Sequence, residues 1–578
     1  MRFDELAKYF EQIEQTRGRL GMYKLLGELF GKAGSSEVAE IAYLCEARLG
    51  PAFAGIQIGM GERMVAAAIE AATGKPSTQV SRLYHKLGDL GLVAAQLLPA
   101  RKAGSLTVSK VWTALREIAG TSGSGSLEKK TGLLAALIKA SSPRAALYIV
   151  RFAVGRLRLG VGAPTIIEAV ARTQPESKEA HAAIERAYNL CSDLGLVLET
   201  LRTRGLDALR RFRVRVGSPV RMMMAERLPN AGEIIKRLGR CAVEAKLDGF
   251  RCQVHLSNRG VEIFSRNLER MTGMFPDITA ALRSGTSART AIIEGEALAI
   301  DEATGEFHPF QVTVQRKRKH RIEEMARDFP LVFVAFDLLY ANGRDHTGLA
   351  YEARRAALEA MLKGGKTDGR IRAVERVVTD SAEELQRFFD EEIGRGLEGI
   401  IAKRLDSRYE AGARNYNWIK LKRAYRGELS DTVDVAVVGY LRGRGMRARL
   451  GVGALLAAAY DRKTDTFKTV GKVGSGLSEE NWVRLRKLLD QAAVKKPPAR
   501  VDSRLTPDVW VEPQYVVTVL ADEITRSPIH TCARDESGVG LALRFPRVVG
   551  FIREDKSPED ATTVAEIKKM YAMQRKRS

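Results

Sequence analysis

"VEAKLDGFRCQV", running from Val243 to Val254, sets one lysine among apolar neighbours with two acids and an arginine close by. Along an extended chain, side chains alternate between two faces. Glu244, Lys246 and Asp248 then share one face, while Ala245 and Leu247 point into a core. Gly249 interrupts the strand and lets Arg251 fold back toward the same side. Two readings stand: a structural ion pair, or a nucleophile inside its orienting shell.

The rest of the chain bounds both readings. Its 578 residues exceed one ordinary domain and predict two to four. Hydrophobic residues at 45% and charged residues at 28% fit a soluble globular protein. No apolar run is long enough to span a bilayer. "MRFDELAKYFEQIEQT" reads as an amphipathic helix rather than a signal peptide, so a cytoplasmic location is expected. Cys45, Cys191, Cys241, Cys252 and Cys532 lie far apart with no C-x-x-C pair, which argues against a zinc site and a disulfide framework. Lys plus Arg outnumber Asp plus Glu by 93 to 70, a formal charge of +23. That excess favours a polyanionic partner, nucleic acid first and an anionic membrane surface a distant second.

Three regions follow one another. Residues 1–215 show apolar positions at helical spacing, as in "GLLAALIKAS" and "HAAIERAYNLCSDLGLV". A short pattern occurs there twice, "IGMGERMVAAAIEAATG" from Ile58 and "LGVGAPTIIEAVART" from Leu159, and predicts two similar lobes. Each G-x-G turn opens an Ala-rich helix. It is either a phosphate-binding helix end, with Arg63, Arg156 and Arg158 nearby, or an ordinary tight turn. Residues 216–428 alternate strand-like segments with helices and predict an α+β domain. Residues 429–578 carry short strands and glycine-rich turns, as expected of a small β-barrel plus helix, and end in the basic tail "IKKMYAMQRKRS".

The central region concentrates the chemistry. "SRN" places Arg266 after the strand "VEIF", and "EGEALA" sets Glu296 mid-strand, where an unpaired carboxylate is costly. "FDLLY" is expected to put Phe336 and Asp337 at a strand end. "EGIIAK" supplies Glu398 and Lys403, "YEAGAR" supplies Arg414, and "WIKLK" sets Lys420 and Lys422 on one strand face. The cations suit phosphates, Phe336 suits stacking on a base, and Glu296 suits ribose hydroxyls. Glu398 suits a hydrated Mg²⁺ shared with phosphate oxygens. A nucleoside triphosphate meets all four requirements, although no G-x-x-x-x-G-K-[ST] loop is present. Singly, each piece has a plainer account: Phe336 as core, the two lysines as a solvated face, Glu398 paired with Lys403. The ordered set carries the argument.

That set, from "KLDGFR" through "WIKLK", resembles the signature of the covalent nucleotidyltransferases. "LRFPRVVGFIREDKSPEDATT", "EITRSPIHT" and the helical region narrow the resemblance to archaeal-type ATP-dependent DNA ligases, over nearly the whole chain. The resemblance implies an all-α DNA-binding domain over 1–215, an ATP-grasp-like α+β nucleotidyltransferase domain over 216–428, and an OB-fold β-barrel over 429–578. It implies ATP and Mg²⁺ as cofactors, nicked duplex DNA as partner, and a monomer.

On that resemblance Lys246 becomes the nucleophile that takes AMP, Glu244 the adenine contact and Phe336 the stacking aromatic. Arg251 and Glu296 lie by the ribose, and Arg266 meets phosphate and later the nick. Arg414, Lys420 and Lys422 are the phosphate-side cations, and Glu398 the metal-associated acid. Arg553, Asp555 and Lys556 sit on the barrel, which swings over the nucleotide to orient pyrophosphate through the linker "RAYRGELSDT". A lysine with a reference pKa of about 10.4 must lose its proton to attack. Two adjacent acids oppose that, so activation by metal–ATP is expected. One stretch departs from the pattern: "ARKAGSLTV" lacks the paired aromatics through which relatives dock on a sliding clamp. Neighbouring alternatives are an RNA ligase or a capping nucleotidyltransferase, and, from another class, a basic DNA-binding scaffold.

Overall fold

A computed structural model describes all residues except 17, 100–105, 156, 158, 301–306, 309, 314–315, 317–320, 366–368, 423–431, 444–449 and 577–578. Arg156 and Arg158, the linker after Lys422, and most of "ARKAGSLTV" therefore lie outside the described residues. The chain forms two compact units. One comprises Met1–Glu226, Leu247–Arg376 and Lys403–Trp418; the other comprises Arg227–Lys246, Val377–Ala402 and Ile419–Ser578.

In the first unit, the chain up to Arg210 is a succession of helices. Phe3–Gln15 buries Phe3, Leu6, Ala7, Tyr9, Phe10 and Ile13, the three-and-four spacing of a single inward stripe. The doubled G-x-G pattern is doubled in space as well. Gly59 and Gly160 have φ of +64° and +65°, and the helices Glu62–Thr73 and Ala163–Ala171 follow. A second repeat accompanies it: "DLGLV" occurs at 89–93 and 193–197. Asp89 and Asp193 each cap a helix, accepting from the N–H of Gly91 and of Leu196. The glycine inside each motif is sterically required. A Cβ at Gly91 would lie 2.6 Å from the Leu147 carbonyl oxygen, and one at Gly195 would lie 2.3 Å from the Tyr43 ring.

The same unit contains an antiparallel sheet in the order Gly260–Ser265, Phe250–Ser257, Ala291–Ala299, Leu331–Ala341, Arg344–Asp345, with Ile371–Ala373 parallel to Leu331–Ala341. The helices Pro276–Ser284 and Tyr351–Lys363 supply Ile278, Leu282, Leu358 and Met361 to the core on one face. Phe336 and Asp337 stand near the middle of an eleven-residue strand, not at a strand end. "PLVFVAFDLLY" gives no apolar–polar alternation, because this strand is covered on both faces.

In the second unit, Cys241–Lys246 pairs within a sheet whose order is Met224–Arg227, Arg414–Lys422, Gly399–Arg404, Cys241–Lys246, Arg376–Thr379; the unit boundary falls inside several of these strands. Helices Ala231–Leu238 and Ala382–Gly394 pack Ile234, Leu385 and Phe389 against Val243, Ile400 and Ile419. The strand ends at Lys246, so the alternation expected through Asp248 stops there. Residues 241–245 are all buried, Glu244 included, so both strand faces are covered rather than one.

Beyond Thr432 the second unit is strand-rich. The sheet runs Ala493–Val494, Val509–Val511, Val433–Leu441, Ala454–Asp461, Thr466–Val473, Val501–Asp502. Val516–Leu520 pairs with Val433–Leu441 and with Arg547–Ile552, and Glu523–Ser527 forms a separate pair with Gly540–Arg544. Val433, Val435 and Val437 enter one core, whereas Ala436 and Val438 enter a second on the other face. The last helix, Val564–Lys576, takes in the basic tail up to Lys576. No helix among the described residues is long and apolar enough to cross a membrane. All five cysteines are buried and free.

Candidate active site

Lys246 closes its strand with a partly exposed side chain, and Glu398 is the acid it meets. The backbone fixes that meeting: the Glu398 N–H donates to the Lys246 carbonyl at 3.2 Å. Gly399 follows at φ +145°, where a Cβ would lie 2.1 Å from the Leu421 carbonyl oxygen. Only glycine lets this strand start so close to the one bearing Lys422. Glu398 Oε2 accepts from Lys246, and Oε1 accepts from Lys422 Nζ at 2.8 Å. Burial would raise the Glu398 pKa, but the two ammonium groups hold it below the ordinary carboxylate value. Lys420 lies two residues from Lys422 on the same strand, hence on the same face. Glu398 therefore takes Lys246 and Lys422.

The first unit holds another set. Arg251 lies opposite Glu296 in strand register and reaches diagonally to Glu294, its NH2 2.9 Å from Oε2. Glu294 is wholly buried and also accepts from Gln253 Nε2 at 3.0 Å. Burial works against the Arg251 charge, yet Glu294 chiefly, with Glu296, holds its pKa above the ordinary value. Arg251 Nε is buried and meets no acceptor among the described residues. Glu296 is half-buried and accepts from the Gly249 N–H at 3.3 Å. The guanidinium lies 5.4 Å from the Phe336 ring and 5.7 Å from Trp418.

Lys403, 1% exposed, donates to the Phe336 carbonyl at 3.2 Å and lies 4.3, 4.8 and 5.1 Å from the rings of Trp418, Phe336 and Tyr351. Asp337, beside Phe336, is a structural residue: its two oxygens take Arg354 Nε and NH2 at 2.7 and 2.9 Å in full burial. Arg266 and Arg414 are exposed and approach the same sulfur, Met224 Sδ, at 3.9 and 3.7 Å. Arg266 also lines a cavity of about 320 Å³ with Arg48, Tyr188 and Arg221.

In the strand-rich C-terminal part of the second unit, Arg553 and Lys556 converge on Asp434 at 3.4 and 2.6 Å, and Arg553 also chelates Asp555. Glu294, Trp418 and Asp434 carry no mark in the motif reading. Glu294 was legible in principle, because "EGE" puts two acids on one strand face. Nothing in the local pattern singles out Asp434.

What these groups can do is polar and phosphate-directed. Two lysines sharing one carboxylate suit a polyphosphate, and an aromatic beside a half-buried arginine suits a base and its sugar. The donor set fits magnesium only in company with phosphate oxygens. Among the described residues no group of three or more His, Cys, Asp or Glu could hold a metal alone, and magnesium is commonly held by one or two carboxylates plus phosphates.

Comparison with known proteins identifies the framework. Three family models match in order: DNA ligase N terminus over residues 2–171, ATP dependent DNA ligase domain over 222–422, and ATP dependent DNA ligase C terminal region over 448–556. The "Probable DNA ligase" of Dictyoglomus thermophilum is 50% identical over 576 residues, covering 100% of this chain and 98% of its own. The "DNA ligase" of Hyperthermus butylicus is 43% identical over 601 residues, with coverage of 100% and 98%. The solved structure Pmar-Lig_PreS3 shares the fold at 16% identity and a TM-score of 0.53, covering 94% of this chain and 99% of that one. With a helical N-terminal region, a nucleotidyltransferase domain and a strand-rich C-terminal region in that order, this chain belongs to the ATP-dependent DNA ligases.

Proposed function

We propose that the protein seals nicks between a 5′-phosphate and a 3′-hydroxyl in duplex DNA through a lysyl–AMP intermediate. The observation that carries this reading is the Lys246–Glu398–Lys422 cluster at the strand ends of the domain matched as the ATP-dependent ligase domain. In the first step Lys246 Nζ loses a proton and attacks the α-phosphorus of ATP. The N–P bond forms as the bond to the bridging oxygen breaks, and pyrophosphate departs. The 5′-phosphate of the nick then displaces lysine from AMP, and the 3′-hydroxyl finally displaces AMP to join the strand. Covalent catalysis divides one hard condensation into steps with better leaving groups.

Glu244 contacts adenine, Phe336 stacks on it, and Arg251 and Glu296 hold the ribose. The unsatisfied Nε of Arg251 supports that role, since it retains a hydrogen bond to give. Arg266, Arg414, Lys420 and Lys422 serve the phosphates, and Arg553 with Lys556 orients pyrophosphate. Glu398 is the residue that would hold Mg²⁺, which when bound neutralises phosphate charge.

The domain assignment goes with this reading: an all-α DNA-binding domain over 1–215, the adenylation domain over 216–428, and an OB-fold over 429–578. The enzyme acts as a cytoplasmic monomer that contacts duplex backbone rather than base edges, and the sequence "ARKAGSLTV" disfavours clamp docking through that segment. RNA ligation and capping are less favoured, because the N-terminal family match covers a region named for DNA ligases.

The test is incubation with Mg²⁺ and α-labelled ATP, followed by a denaturing gel, beside Lys246→Ala. Label on the wild type alone, chased off by nicked DNA with a sealed strand, is the expected result. Label that ignores nicked DNA but moves to RNA ends overturns the substrate. Absence of label overturns the mechanism.

A further inference from the structure

Asp434 is the second residue of the first long strand of the C-terminal sheet, Val433–Leu441, and is 8% exposed. Its carboxylate is fully engaged. Oδ1 accepts from Thr518 Oγ1 at 2.6 Å, and Oδ2 accepts from Lys556 Nζ at 2.6 Å and from Arg553 NH1 at 3.4 Å. Its backbone is tied as well: its N–H donates to Thr562 Oγ1 at 3.0 Å, and its carbonyl accepts from the Thr562 N–H at 2.8 Å. Thr518 lies opposite Asp434 in strand register, so its hydroxyl is carried by a neighbouring strand of the same sheet. The backbone of Arg553 is anchored to that strand too, through a 2.8 Å bond from its N–H to the Val516 carbonyl.

Burial would raise the Asp434 pKa, but Lys556 and Thr518 hold it below the ordinary value, so it is an anion here. An acid at this position is not needed for the core, since Val433, Val435 and Val437 fill it. Arginine and lysine side chains are long and lose much rotamer freedom when fixed. A buried carboxylate on a rigid strand removes much of that loss before substrate arrives.

The geometry points to Asp434 as a positioning residue: it holds Arg553 and Lys556 as a paired unit, ready to be presented to the departing pyrophosphate. The inference rests on the assignment of Arg553 and Lys556 to the first chemical step. It predicts a step-selective defect, because neither cation is asked to act once AMP is on the DNA. Asp555, on the exposed side of Arg553, is the second counter-charge and accepts from its Nε and NH2.

The experiment uses the full-length protein and two single-turnover reactions: label transfer from α-labelled ATP with Mg²⁺, and closure of a pre-adenylylated nick without ATP. Asp434→Asn should slow the first about tenfold, the scale of losing a charge-assisted hydrogen bond, and raise the ATP concentration giving half-maximal rate. The second should stay within about twofold of wild type. Asp434→Glu should recover part of the first rate. Thr518→Val, which removes one hydrogen bond from the same carboxylate, should slow label transfer by a smaller factor, and it carries the test if Asp434→Asn does not fold.

Equal slowing of both reactions by Asp434→Asn would reveal a folding role and overturn the inference. So would label transfer at the wild-type rate or faster in Asp434→Asn or, where that variant does not fold, in Thr518→Val. Arg553→Ala and Lys556→Ala separate the two layers. If both leave label transfer intact, the assignment beneath the inference fails. If they slow it and Asp434→Asn does not, only the role of Asp434 fails.

Discussion

Glu398 holds Lys246 by one carboxylate oxygen and leaves the other to Lys422, so Lys246, the nucleophile proposed above, starts as half of an ion pair. A lysine held this way is a poor nucleophile until its partner is drawn elsewhere. On the proposed mechanism, incoming phosphates would compete for Lys422 and a divalent cation for Glu398. Glu398→Gln removes the competition and also the acid, and the second effect should dominate. Label transfer from ATP should fall about a hundredfold, the scale of losing one charged group from a site that stabilises developing charge. In nucleotide-free protein, the same variant should make Lys246 react faster with an amine-selective reagent. A wild-type rate of label transfer would remove Glu398 from the chemistry.

Glu294 and Arg251 form the second decisive pair, with the acid wholly buried. Glu294→Ala should destabilise the first unit by about 3 kcal/mol, because it leaves a guanidinium in a largely dry environment without its counter-charge. The double variant Glu294→Ala with Arg251→Met should be more stable than Glu294→Ala alone. Denaturant midpoints measure both, and simple additivity would show that the pair is not coupled.

The ligase motifs are readable because the chemistry tolerates few residue types at fixed spacings: "KLDGFR", "EGIIAK" and "WIKLK" all sit at strand ends. Less legible is what lies between them. The pattern around Phe336 suggests a strand end, and only the pairing of Ala291–Ala299 with Leu331–Ala341 shows that it stands mid-strand. Strands buried on both faces lose the alternation from which position is judged. Sequence proximity offers Glu244 and Asp248 as partners of Lys246, whereas the acid that holds it comes from residue 398. Long-range pairing is a property of sheet order, and strand order leaves no local trace. The helical repeat is half visible: the G-x-G turns stand out, while "DLGLV" reads as ordinary helix until Asp89 and Asp193 prove to cap equivalent helices.

His255 makes the first unit sensitive to acid. It is fully buried, its Nδ1 accepts from the Gly217 N–H at 2.9 Å, and burial pulls its pKa down to about 3. The unfolded imidazole protonates near pH 6.5, whereas the folded one stays neutral. Because the folded pKa is depressed, the contribution is complete above pH 6.5 and is lost as pH falls toward 3. The loss amounts to about 1.4 kcal/mol per pH unit within that window. Stability measured by urea midpoints from pH 7 to 4.5 should drop with that slope added to the background. His255→Gln should be less stable at pH 7 but flatter with pH, and an unchanged slope would remove His255 as its source.

Gly399 tests whether the placement of Glu398 is set by backbone fit. At its φ of +145°, a side chain would begin 2.1 Å from the Leu421 carbonyl oxygen, which leaves it no room. Gly399→Ala must push the strand Gly399–Arg404 away from Arg414–Lys422, and Glu398 moves with it. Backbone strain of this kind costs about 1–3 kcal/mol, so the protein should still fold at 25 °C with a lowered melting temperature. Label transfer should fall toward the level of Glu398→Gln. Because both changes act on one contact, combining them should add little to either alone. Multiplicative losses in the double variant would mean that Gly399 acts on the reaction through something other than Glu398.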